Sequence, residues 1–84
     1  MGRADVATSL NNLAELFRNQ GRYTKAKQLY MRALAIVERA LGPDHPNVAA
    51  TLENYAALLH ATERNDKAVE LEARAKVIRV KNAE

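Results

Sequence analysis

An all-α fold follows from three features of the sequence. Apolar residues recur with helical spacing along most of its length, Gly21, Gly42, Pro43 and Pro46 fall only between those stretches, and the second half repeats the first. Sliding the chain against itself by 42 residues aligns "VATSLNNLAELF" from Val6 with "VAATLENYAALL" from Val48 without a gap, and 13 of 42 pairs are identical. The identities run from Val6/Val48 through Asn12/Asn54, Leu16/Leu58 and Arg22/Arg64 to Ile36/Ile78, so the whole unit is duplicated.

Each unit reads as a helical hairpin. In the first helix Leu10, Leu13 and Phe17 fall at i, i+3 and i+7, and Leu52, Tyr55 and Leu59 repeat this in copy two. In the second helix of copy one, Ala26, Leu29, Tyr30, Ala33, Leu34 and Val37 form another helical stripe. The spacing predicts helices at about 5–20, 24–41, 46–61 and 66–81. Thr24 and Asp66 are expected as N-caps after the polar turns "NQGRYT" and "TERND". Between the copies lies "ALGPDHPNV", which holds both prolines and one of the two histidines. Gly42 can end a helix in the left-handed region and Pro43 blocks its continuation. Asp44 is expected to cap the next helix, with Pro46 in its first turn.

The expected architecture is therefore all-α, with two tandem helix-turn-helix repeats and four antiparallel helices, a fragment of an α-solenoid. A single domain spans 1–84, with repeat 1 at about 5–42 and repeat 2 at about 43–82. A chain of 84 residues buries a modest share of its surface, and 5% aromatic content with abundant alanine suits close helix packing better than a sandwich of sheets. With no cysteine, disulfides and thiolate metal sites are excluded. No apolar run reaches the roughly 20 residues of a membrane span, and no signal-peptide core is present. Met1-Gly2 is not an acylation signal, because Val6 stands where Ser or Thr is required. A soluble, cytoplasmic protein without a membrane partner is expected. The net charge of +3 comes from basic and acidic residues mixed along the chain, which disfavours nucleic acid as a partner.

Copy one carries Leu10, Leu13-Ala14, Phe17, Gly21, Tyr23, Ala26, Tyr30 and Ala33. This series resembles the tetratricopeptide repeat, and its period is longer than the usual 34 or so residues. The longer period and the Gly-Pro-Asp-His-Pro joint are similar to the repeats of the kinesin light chain family. The resemblance implies a non-catalytic module for protein-protein interaction whose first helices line a concave groove. It places Thr8, Asn11, Asn12, Glu15, Arg18 and Asn19 of copy one there, with Ala50, Glu53, Asn54, Ala57 and His60 of copy two. Asn12 and Asn54 match positions at which family members hold a peptide backbone, since an amide both donates and accepts. They could equally bond within the helix array. Glu15 and Glu53 oppose Arg18, and no lysine lies on this face, so a clamp for a terminal carboxylate is not expected.

Copy two departs from the pattern on one face. Tyr30, Leu34 and Val37 become Glu72, Lys76 and Arg79, while Ala68, Leu71, Ala75 and Ile78 stay apolar. A terminal repeat needs a polar outer face, so the last helix reads as a C-terminal cap with Glu72 and Lys76 paired at i,i+4. At the other end Val6, Leu10, Leu13 and Phe17 remain apolar and form a candidate self-association face. Together with a start that falls in mid-joint, this suggests a piece of a longer array, a homo-oligomer, or copies that exchange hairpins.

Catalysis is not expected. His45 and Asp44 are loop neighbours, His60 has no i,i+4 histidine partner, the glycines are isolated, and no nucleophile lies beside a base. No cofactor, metal or small-molecule substrate is implied. The expected partner is a protein or peptide, and the competing expectation is a structural element that assembles copies or caps a solenoid. A third expectation, nucleic-acid binding through Arg74, Lys76, Arg79 and Lys81, is the weaker one, since these residues suit solvation of the last helix and its C-terminal dipole.

Overall fold

The structure, a computed structural model, describes residues 3–83; the Met1-Gly2 start lies outside them. Among these residues there are four helices and no strand: α1 (Arg3–Asn19), α2 (Tyr23–Leu41), α3 (Pro46–Ala61) and α4 (Asn65–Ala83). Helix α1 packs against α2, α3 against α4, and α3 also docks on α2 and along the edge of α1. The result is two hairpins stacked in a slab of 36 × 32 × 15 Å.

Small residues decide how closely the helices approach. Ala14, Ala26 and Ala33 are buried in copy one, and Ala56, Ala68 and Ala75 in copy two. Around them one continuous core gathers Leu29, Val37, Val48, Leu52, Leu58, Leu59, Leu71 and Ile78. Each such aliphatic side chain contributes about 1.5–3 kcal/mol by leaving water. The two copies are joined by an aromatic pair, Tyr30 of α2 and Tyr55 of α3, with ring centroids 6.1 Å apart and planes within 14° of parallel. This offset stack suits the quadrupoles of the rings.

Both hairpin turns use the same closing motif. In copy one Arg22 N–H bonds to Phe17 O at 2.9 Å and Gly21 N–H to Arg18 O at 3.0 Å; in copy two Arg64 bonds to Leu59 O at 2.8 Å and Glu63 to His60 O at 3.1 Å. These are Schellman-type ends, which need a residue in the left-handed region. Gly21 takes it at φ +78, and Glu63 is forced into it at φ +62. Gly42, at φ +93, ends α2 with its N–H on Glu38 O at 2.9 Å.

Three local expectations are corrected. Helix α2 begins one residue before Thr24, so Arg22 is its N-cap and offers no side-chain hydrogen bond. Helix α4 begins at Asn65, which places Asp66 inside the first turn, where its charge still suits the dipole. His45, not Asp44, caps α3: its Nδ1 accepts from Asn47 N–H at 3.0 Å, with Pro46 following at N1. Asp44 lies one residue too early and is held from α4 instead, its carboxylate 3.4 Å from Lys81 Nζ and its carbonyl accepting from Asn82 at 2.8 Å.

The hydroxyl of Tyr30 is buried without a hydrogen-bonding side chain or backbone group within reach. Tyr30→Phe removes that polar atom and keeps the stack, so it is expected to raise unfolding stability by about 1 kcal/mol, read from denaturant midpoints. Glu63→Gly relieves a left-handed strain of about 1–2 kcal/mol against a glycine entropy cost of about 0.5–1 kcal/mol. A gain of several tenths of a kcal/mol is expected in the same measurement.

Candidate functional site

The edges of α1 and α3 run side by side and form a shallow groove. Asn54 Nδ2 donates to Asn11 Oδ1 across it, at a long 3.4 Å. Next to this bridge is a depression of about 210 Å³ lined by Ala7, Thr8, Asn11, Val37, Asn47, Ala50 and Thr51. Its polar rim surrounds the apolar Ala7 and Val37. Thr51 is buried, and its hydroxyl donates to Asn47 O at 3.0 Å, which lets α3 carry a polar residue there without an orphaned donor. Glu15 and half-buried Arg18 stand further along α1, near the Tyr30 hydroxyl. Burial raises the pKa of that phenol, Arg18 lowers it and Glu15 raises it.

Apart from half-buried Arg18, the sequence-derived groove residues divide into three sets. Thr8, Asn11, Ala50 and Asn54 come together as described. Asn12, Glu15, Asn19 and Ala57 are exposed along the same two helices. Asn12 is the counterpart of Asn54, yet Asn54 meets Asn11, because α3 brings its edge against the α1 residue one position earlier. Glu53 and His60 form the third set, and α4 engages both.

Arg79 grips Glu53 through two parallel hydrogen bonds, Nε to Oε2 at 2.8 Å and Nη2 to Oε1 at 2.7 Å. Those bonds hold the Glu53 carboxyl below the usual carboxylate range, with burial opposing. His60 Nδ1 faces Asn65 Oδ1 at 2.8 Å, and its Nε2 faces Glu72 Oε1 at 3.1 Å. Glu72 therefore turns to His60 across the hairpin and not to Lys76 along its own helix. These pairs lie along the α3–α4 seam, beside a depression lined by Glu53, Glu72, Lys76, Arg79, Val80 and Ala83. The matching seam of copy one holds Tyr30 and Val37, both buried under α3. Arg74 adds a contact between repeats, 2.9 Å from Glu38 of α2. Exposed pairs of this kind are weakened by solvent screening, so they select the arrangement of the seam more than they stabilise the fold.

The opposite face belongs to α1. Val6, Leu13 and Leu16 are 41%, 41% and 51% exposed, whereas their counterparts Val48, Tyr55 and Leu58 are 0%, 7% and 1% exposed. Leu10 and Phe17, expected on the same face, are half-buried against their own hairpin, and Arg22 stands 5.9 Å over the Phe17 ring. Leu16 was the missing member of this face. Its identity with Leu58 was visible in the internal alignment and marks it as a residue that a neighbouring hairpin would cover.

Two antiparallel hairpins stacked in register define a helical-repeat protein of the solenoid class. The sequence pattern of the tetratricopeptide repeat matches residues 5–76, and the chain belongs to that family. No curated protein matches the chain. Tetratricopeptide repeats are non-catalytic modules that generally mediate protein-protein interaction. Among the described residues no group of His, Asp and Glu could hold a metal ion, and no helix is long and apolar enough to cross a membrane.

The geometry at His60 has a pH signature. Both facing atoms are acceptors, and only the imidazolium carries two N–H donors, so the hydrogen bonds from Asn65 and Glu72 raise the His60 pKa. A raised folded-state value means that the contact's contribution is fully present below the unfolded-state value and is lost as pH rises through the folded one. NMR titration of the His60 ring is expected to give a midpoint above the ordinary value of about 6.5. Glu72→Gln is expected to lower it. A midpoint at or below the ordinary value would contradict this geometry.

Proposed function

We propose that the chain is a binding module whose α1–α3 groove holds an extended peptide segment of a partner protein. The observation that carries this reading is the Asn11–Asn54 bridge beside the 210 Å³ depression. At 3.4 Å the bridge is near the limit of a hydrogen bond, so both amides can exchange it for peptide N–H and C=O groups at little cost. The depression can take one short aliphatic side chain over Ala7 and Val37, while Thr8 and Asn47 at its rim suit a polar backbone. Glu15 and Arg18 supply opposite charges at the far end, which favours a peptide of mixed charge over an acidic terminus. The 42-residue period and the Gly-Pro-Asp-His-Pro joint support placing the repeats with the longer, kinesin-light-chain-like type.

Peptides selected by display on the intact chain provide the test. Asn11→Ala combined with Asn54→Ala is expected to weaken the selected peptides by at least about tenfold, as the loss of one or two buried hydrogen bonds would do. Leu16→Glu, on a different face of α1, is expected to leave them bound. Unchanged affinity in the double asparagine variant would sink the groove reading.

A second reading is favoured by the exposed Val6, Leu13 and Leu16: the repeats also assemble copies of the chain. Apolar residues grouped on one exposed helix face mark a candidate interaction surface. The charged α3–α4 seam supports a cap at the other end of the stack.

A further inference from the structure

The repeat interface inside the chain is a template for judging which surfaces a second copy could meet. In it, Val48, Tyr55 and Leu58 of copy two are covered where α3 docks on α2 and the edge of α1, a seam built on Tyr30 and Val37. The exposed α1 face, with Val6, Leu13 and Leu16, is the aligned equivalent of that docking side. Head-to-tail stacking would set it on the α3–α4 seam of another copy. There the equivalents of Tyr30, Leu34 and Val37 are Glu72, Lys76 and Arg79, all exposed. Glu72 and Arg79 are already bound to His60 and Glu53. Apolar cover over this seam would desolvate two ion pairs and leave Lys76 without water, with no compensating bond. The inner seam is occupied by α3. The α1 face of another copy offers apolar Val6, Leu13 and Leu16 instead.

That face is also self-complementary. A depression of about 330 Å³, lined by Val6, Ala35, Ile36 and Arg39, opens at the N-terminal end of α1. Leu16, the most exposed apolar residue of α1, stands ten residues away, about 15 Å along the helix axis. When two α1 helices run antiparallel about a two-fold axis, Leu16 of each faces the Val6 depression of the other, and Leu13 lies near the axis. Each knob then finds a hole, as an isologous interface requires.

We propose that the chain forms a closed two-fold dimer through α1, with each Leu16 seated beside the other copy's Val6, and that the Glu53–Arg79 and His60–Glu72 pairs stop growth at the other end. The proposal rests on the self-assembly reading above and adds its symmetry and its stop. Residues 72, 76 and 79 thereby act as specificity residues for assembly: they exclude a wrong partner surface without touching the right one.

Sedimentation and light scattering on the full chain test it. The expected mass is twice the 9.3 kDa of one chain at high concentration. Leu16→Glu is expected to return it to one chain with unchanged helicity, since residue 16 is exposed within its own copy. The triple variant Glu72→Tyr, Lys76→Leu, Arg79→Val restores the copy-one seam and is expected to grow past the dimer as concentration rises. Adding Leu16→Glu to it should abolish that growth. Because the chain has no cysteine, Val6→Cys and Leu16→Cys copies can be mixed and cross-linked with a short bis-maleimide. The mixed pair is expected to form in preference to either like pair.

A wild-type chain that stays at single mass overturns the dimer and the assembly reading together. A dimer that survives Leu16→Glu, or in which the mixed cysteine pair is not preferred, overturns this symmetry and leaves assembly standing. A folded triple variant that stops at the dimer overturns the ionic stop. Should the triple variant lose helicity, Glu53→Gln combined with Arg79→Met, which removes one of the two pairs, decides that point: growth past the dimer supports the ionic stop and its absence overturns it.

Discussion

Docking of α3 on the first hairpin is the constraint on which the rest of the molecule depends. Tyr30 and Val37 on one side, and Val48, Tyr55 and Leu58 on the other, belong to one core that runs continuously through both hairpins. In a one-dimensional stack the interface between neighbours supplies stability that single units lack. The joint serves that interface. Gly42 turns the chain at a positive φ, His45 caps α3 and Pro46 starts it, so the helix is aimed before it docks. Helix α4 then returns along α3, and its last turn holds the joint through Asn82 and Lys81. The joint and the C-terminal end of α4 are thus ordered together.

The same scaffold carries two different surfaces because few substitutions alter its interior. Ala26, Leu29, Ala33 and Ile36 correspond to Ala68, Leu71, Ala75 and Ile78, so each hairpin closes in the same way. One set of changes falls on the side that meets the next unit. There copy one presents an aromatic and aliphatic strip, and copy two presents charges matched to Glu53 and His60 of α3. Matching matters, because unpaired charges on that strip would still repel an apolar neighbour, but they would not fix the orientation of α4 against α3. The bidentate Arg79–Glu53 pair does fix it, through the planar geometry of the guanidinium group.

Helix number and repeat register were legible in the sequence, and each helix end lies within two residues of its expected place. Periodicity averages over many positions, so single exceptions do not disturb it. Local chemistry was less legible. Capping depends on one-residue register, and His45 displaced Asp44 because Pro46 fixes the helix start one position later than the aspartate could serve. Thr24 and Asp66 have good capping chemistry, but the Schellman ends at Gly21 and Glu63 deliver the chain into the next helix before either residue is reached. The candidate groove residues are legible as a helix face, yet pairing across helices depends on how one hairpin is rotated on the next. Rotation set Asn54 against Asn11 and gave Glu53 and His60 to α4. A one-dimensional pattern carries no measure of that angle.

Helix α1 is where the readings of this chain converge. Its Asn11 edge borders the groove, its Leu13 and Leu16 face is open, and its Ala7 and Ala14 line is buried against the core. Three sides of one helix therefore face the proposed ligand groove, the proposed assembly surface and the interior. A groove between only two first helices offers few contacts, and its affinity for a flexible peptide is correspondingly limited by the entropy of ordering that peptide. Pairing α1 with α1 would bring two such grooves into one particle without obstructing either edge. A partner with two copies of its recognition segment would then be held at an effective concentration set by its own linker, and weak grooves would suffice. The exposed leucines of α1 would then strengthen the hold on such a two-segment partner without altering the affinity of either groove for one segment.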